Sequence, residues 1–231
     1  MPSQVTHRSL DGIRVRLSGL HDLSHPYTSV ARIAAGDRLH EISSGTRADA
    51  RAWAADLGVG AFGHEFKVQG GHLRIGRTRI TDPDTRVADQ VLAAVWEGDR
   101  HAVFTHLYHG RPADAVAFFA GLRLAEHDDG VVAVPRGRRV RRPEPAELVK
   151  EVPGVGLLEI TALTAATRRR LPKWRGAKVA GGELFRDDID GQGPYFLLAT
   201  RSLLVTVLPD DEYVGAVPDR LAGLSVEAVR G

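Results

Sequence analysis

Arginine supplies the densest chemistry in this chain. Five guanidiniums, Arg136, Arg138, Arg139, Arg141 and Arg142, crowd the acid-free segment between Pro135 and Pro143. Such groups engage phosphates through paired hydrogen bonds, and each phosphate neutralised releases counterions. A second basic run holds Arg168, Arg169, Arg170, Lys173, Arg175 and Lys178, again without an acidic residue inside it. Histidine offers a different chemistry. His101, His106 and His109 lie close together, with His64, His72 and His127 elsewhere. Zinc needs three or four converging ligands, and neither an HExxH spacing nor one shared face is evident, so no metal site is expected. The acidic groups Asp187-Asp188 with Asp190, and Asp210-Asp211-Glu212, sit beside glycine or proline and read as solvated turn carboxylates. Nucleophile elbows, phosphate loops and dinucleotide fingerprints are missing from the sequence, so neither catalytic residues nor a cofactor is assigned.

The basic segments acquire meaning from the elements expected around them. Residues 86 to 143 resemble a winged helix: helix, short apolar element, helix, then Gly130 to Val134 leading into an arginine-rich tip and Val140. The wing arginines would then neutralise phosphates, although the second helix, with Ala113, Ala115, Phe118 and Phe119, is too apolar to read base edges. Leu148 to Gly156 resembles the hairpin of helix-hairpin-helix motifs, in which Gly154 and Gly156 would let backbone N–H groups approach a phosphate at a helix N-terminus. Leu157, Leu158 and Ile160 depart from that pattern and fit a Pro-Gly turn entering a strand from Leu157 to Leu163 equally well.

Periodicity organises the rest. Ile13, Val15 and Leu17 alternate as a strand does, and Thr46 to Leu57 takes the period of a helix, with Thr46 as its cap and Asp49 three residues on. Hairpins are expected around Gly70-Gly71 and around Asp129-Gly130. Asp84 to Glu97 and Pro112 to Leu122 read as amphipathic helices. Tyr195 to Ala199 with Leu203 to Val207 forms the strongest buried hairpin, and Pro218 to Val229 reads as a short closing helix. Ala48-Asp49-Ala50-Arg51-Ala52-Trp53 matches Ala113-Asp114-Ala115-Val116-Ala117-Phe118, which suggests a duplicated strand-helix-hairpin unit. The fold class expected is therefore α+β: duplicated units at about 11–82 and 84–134 within residues 1–134, a linker or wing tip at 135–145, and a second small α+β domain at 146–231.

Composition bounds the function. With 231 residues, 43% of them hydrophobic, the chain can bury a core. Cysteine is absent, which excludes disulfides, thiolate metal sites and cysteine nucleophiles. Neither a leader core nor a membrane-length apolar run is evident, so a soluble cytoplasmic protein is expected. Arginine far outnumbers lysine and asparagine is absent, the mark of GC-rich codons, and the net charge is only +2; local clustering, not bulk charge, must carry any argument about partners. The function expected is a non-catalytic binding protein associated with duplex nucleic acid. A structural or assembly protein that forms homo-oligomers is the alternative, and a small metal-dependent hydrolase comes third.

Overall fold

Strands hold 56% of the residues and helices 16% in the computed structural model, which describes residues 3–81, 84–137, 140–179, 181–189 and 193–229. That overturns the α+β class: the chain is mostly antiparallel β. Two compact units divide it, one made of residues 1–9, 13–28 and 145–231, the other of residues 10–12 and 29–144. No helix among the described residues is long and apolar enough to cross a membrane.

The first unit contains β1 (Ser3–Arg8) and β2 (Arg14–Gly19), and later β12 (Glu147–Val152), β13 (Gly156–Ala162), β14 (Ala177–Val179), β15 (Gly182–Ile189), β16 (Gly193–Ala199), β17 (Leu203–Leu208) and β18 (Leu224–Val229). Their order is β18-β2-β1 in one antiparallel group and β14-β15-β16-β17-β13-β12 in the other. Alternation sends Leu158 and Ile160, Phe196 and Leu198, and Val205 and Val207 into one core with Val15, Leu17 and Val226. Helix is confined to α3 (Ala165–Arg168), a 3-10 helix at Asp211–Ala216 and α4 (Val217–Ala222). The closing helix expected to Val229 stops at Gly223, and β18 follows. Lys150 shares the inward face of β12 and is 1% exposed; its ammonium donates to the His25 carbonyl. Burial pushes its pKa down, against the pull of Asp22.

The second unit runs β3 (Tyr27–Ala35), β4 (Arg38–Thr46), α1 (Arg47–Asp56), β5 (Phe62–Val68), β6 (Gly71–Thr81), β7 (Ala88–Glu97), β8 (His101–Tyr108), α2 (Pro112–Ala120), β9 (Leu122–His127), β10 (Gly130–Pro135) and β11 (Val140–Arg141). Six strands form an antiparallel sheet in the order β3-β4-β8-β7-β6-β5, and β11 pairs with β3. Helix α1 packs Ala50 and Trp53 on Val95, Ala102 and Phe104. Phe118 of α2 meets His40 edge-on at 5.1 Å. His40 is even-numbered on β4, and Phe104 opposes the odd-numbered Ser43, so the two helices occupy opposite faces.

The expected helix at 84–97 is instead strand β7. Val91 to Glu97 are all buried, so both faces of the strand are covered and period 2 disappears from the sequence. The winged-helix order needs a helix there and falls with it. The duplication is corrected as well. The two helix starts do correspond: Asp49 and Asp114 each accept the N-cap N–H, and Ala50 and Ala115 are both buried. The surroundings differ. Hairpin β5-β6 extends the six-stranded sheet, hairpin β9-β10 belongs to another, and Trp53 is half-buried where Phe118 is buried.

Candidate functional site: a basic groove in the second unit

Strand alternation places the site. Arg38 and His40 open β4 on the face that carries α2, just after the turn at Gly36, whose φ is +64. Leu107 reaches the same face from β8, since Ile42, two positions after His40, opposes Thr105, two positions before Leu107. Beyond β8 the backbone turns at His109, φ +53, and its N–H donates to the Gln90 carbonyl at 2.9 Å. A non-glycine residue in that conformation is uncommon and must be held by its surroundings. Helix α2 then begins, with Pro112 in its first turn.

Between these elements lies a groove of about 450 Å³, floored by Leu107, Ala117, Phe118 and Val140 and edged by Arg38 and His40. A second depression of about 210 Å³ is lined by Arg77, Arg79, Gln90 and Leu92. Gly110 lines both. Arg77 and Arg79 share one face of β6 because one residue separates them, and they oppose Leu92 and Gln90 on β7.

The electrostatics are lopsided. Among the described residues no carboxylate lies within ion-pair distance of Arg38, Arg77 or Arg79. The single carboxylate lining either depression, Asp114, accepts from the Arg111 backbone at 2.8 Å and from its guanidinium at 3.3 and 3.4 Å. Those Arg111 bonds hold its pKa below the usual carboxylate range. His109 leans instead on Asp89, 3.3 Å away. Burial pushes the His40 imidazole down, with Arg38 and His106 adding to it, which favours its neutral form. A neutral imidazole can donate from one nitrogen and accept at the other.

The arginines singled out in the sequence fare differently. Arg138 and Arg139 lie outside the described residues. Arg142 is half-buried and donates to the carbonyls of Leu10 and Ala133 at 3.2 and 3.3 Å. Arg136 is exposed and reaches the Gln69 side chain at 3.1 Å. Arg141 is exposed on β11, opposite Ala34. In the first unit, Arg168, Arg169 and Arg170 end α3, exposed, and Lys173 is exposed after them. Arg170 lines a small depression with Glu147 and Glu159. The helix-hairpin-helix reading is corrected: Gly154 sits in the turn between β12 and β13, and Gly156 is the first residue of β13, opposite Val152. Neither stands at a helix N-terminus. A Cβ on Gly156 would run into the Leu208 carbonyl, so that glycine serves close strand packing.

The histidines do not converge. His101 contacts Glu126, His72 contacts Glu65, and no group of three or more ligating side chains suits a metal ion among the described residues. Sequence reading missed Arg38, Arg77, Arg79 and His40. The Arg77-Thr78-Arg79 alternation was visible, but nothing in the sequence joins it to residues some forty positions earlier. No family model, curated protein or solved structure matches the chain.

Proposed function

We propose that the chain is a binding protein whose groove in the second unit holds a small organic anion with an apolar body. One observation carries this reading: three guanidiniums with no carboxylate within ion-pair distance among the described residues edge two depressions that share Gly110 and adjoin an apolar floor. The apolar body lies on Leu107, Ala117, Phe118 and Val140, where burial drives binding. The anionic group takes charge-assisted hydrogen bonds from Arg77 and Arg79, or from Arg38, and the neutral His40 offers a further polar contact. Duplex nucleic acid is the second reading, favoured by the exposure of Arg136 and Arg141.

A thermal-shift panel of aromatic and aliphatic carboxylates and phosphate esters, with a short DNA duplex alongside, separates the two. A ligand at a hundred times its dissociation constant stabilises the fold by about 2.7 kcal/mol. The shift should appear with small anions and fall to about a third in Arg77→Gln/Arg79→Gln. A shift with the duplex alone, lost in Arg136→Gln/Arg141→Gln, overturns the groove in favour of nucleic acid.

A further inference from the structure

Strand β5 ends the six-stranded sheet, and Gly63 to Lys67 are exposed along it. Its hydrogen-bonding pattern follows from the turn that joins it to β6. Gln69 and Gly70 both have positive φ, +49 and +82, as a two-residue type I′ hairpin requires. Val68 and Gly71 flank that turn as a hydrogen-bonded pair, and alternation makes Phe66 with Leu73, and His64 with Ile75, the next ones. The N–H and C=O groups of Glu65 and Lys67 therefore point away from β6, along the open edge. Phe66, between them, is 39% exposed.

We infer that β5 pairs antiparallel with β5 of a second copy of this chain, about a two-fold axis at Phe66. Symmetry leaves few registers. Outward-pointing residues must meet outward-pointing residues, so Glu65 faces either Glu65 or Lys67 of the other copy, or Lys67 faces Lys67. Two of these three registers set like charges directly opposite, which destabilises a strand pair. The third sets Glu65 against Lys67 twice and leaves the two Phe66 rings as the non-hydrogen-bonded pair, where side chains approach most closely. An isologous contact of this kind closes on itself and leaves no free copy of the same edge to propagate. Opposite charges two residues apart thus select one register and reject its neighbours. Glu65 also accepts from His72 at 2.8 Å and Arg74 at 3.3 Å, which holds its side chain in place on the sheet.

Charge reversal tests the register. Sedimentation velocity on the full chain should show a concentration-dependent dimer. Lys67→Glu alone should raise the dissociation constant at least tenfold, because Glu65 then faces glutamate; Glu65→Lys alone should do the same. Mixing the two variants should restore association, since every lysine then meets a glutamate. Far-ultraviolet circular dichroism confirms that each variant is folded. A wild-type chain that stays monomeric throughout, single reversals without effect, or folded variants that do not associate on mixing would each overturn the pairing.

Discussion

On either side of the second unit's sheet stands a trio of arginines, and the fold treats the two trios oppositely. At the start of α1, Arg47 and Arg51 of the helix and Arg74 of β6 converge on Glu97 at 3.4, 3.8 and 3.3 Å. That carboxylate is only 5% exposed and sits at the end of β7, where the strand passes beneath the helix start. On the α2 face, Arg38 edges the groove and Arg77 and Arg79 line the adjoining depression, with no comparable buried anion among the described residues. The number of arginines is the same, and the difference is one buried acid. A guanidinium cluster becomes a site for a ligand only where the fold withholds its carboxylate, so a count of basic residues along a sequence says little about binding.

The comparison breaks most severely at Glu97. Removing one partner of a buried ionic group costs about 3 to 5 kcal/mol. Arg51 is 62% exposed, which places Glu97→Ala near the low end, about 3 kcal/mol in urea unfolding. Glu97→Gln keeps the shape and sharpens the contrast: the α1 face should then bind inorganic phosphate, visible as a thermal shift absent from the wild type. An unchanged stability in Glu97→Ala would mean that the three arginines are held by solvent and not by this acid.

On the other face, Arg77→Gln/Arg79→Gln should cost about 2 kcal/mol of ligand affinity, the worth of a charge-assisted hydrogen bond. Stability should change by less than about 0.5 kcal/mol, because neither side chain holds a carboxylate. A loss of stability equal to the loss of affinity would make these arginines structural, like those opposite.

Proton linkage separates the faces next. His40 is held below the ordinary imidazole pKa by burial, with Arg38 and His106 adding to it, and Asp114 and His109 also line its groove. A bound anion favours the imidazolium and raises that pKa, so binding takes up a proton and affinity rises as pH falls through the bound-state pKa. A tenfold gain in affinity from this source corresponds to about 1.4 kcal/mol. Stability moves the other way. A lowered pKa means that the fold favours neutral His40, a contribution present above the ordinary value and lost as pH falls through the lowered one. His106, lowered by burial, acts in the same sense. Affinity and stability plotted against pH should therefore slope oppositely, and His40→Gln should flatten the affinity curve. Parallel slopes would remove His40 from the site.

The smallest effect concerns the α1 face alone. Thr46 accepts from the Asp49 N–H at 3.1 Å, and Thr46→Ala should cost about 1 kcal/mol without touching groove affinity. Urea unfolding beside the ligand titration checks both halves.

Elements with strong local chemistry were legible in the sequence. Hairpins β5-β6, β9-β10 and β16-β17 announce themselves by alternation and turn residues, although the first turn falls at Gln69-Gly70, one residue before Gly70-Gly71. Both longer helices were legible from their apolar stripes and their aspartates. Strand β7 was not, because a run buried on both faces, Val91 to Trp96, carries the same apolar residues as a buried helix. The winged-helix reading inherited that error. The groove was illegible for another reason: Arg38, Arg77, Arg79 and Phe118 become neighbours only once four separate elements are arranged. Arg142 shows the converse, since a sequence cannot tell a guanidinium destined for a phosphate from one that closes on its own backbone carbonyls.

The buried ammonium of Lys150 has a consequence for chemical reactivity. The chain has four lysines, Lys67, Lys150, Lys173 and Lys178, and all but Lys150 are exposed. An acylating reagent meets three lysine amines at once, whereas the fourth becomes reachable only when β12 parts from the segment that carries His25. Its modification rate, read by mass spectrometry as the last increment to appear, is a clock for the opening of the first unit.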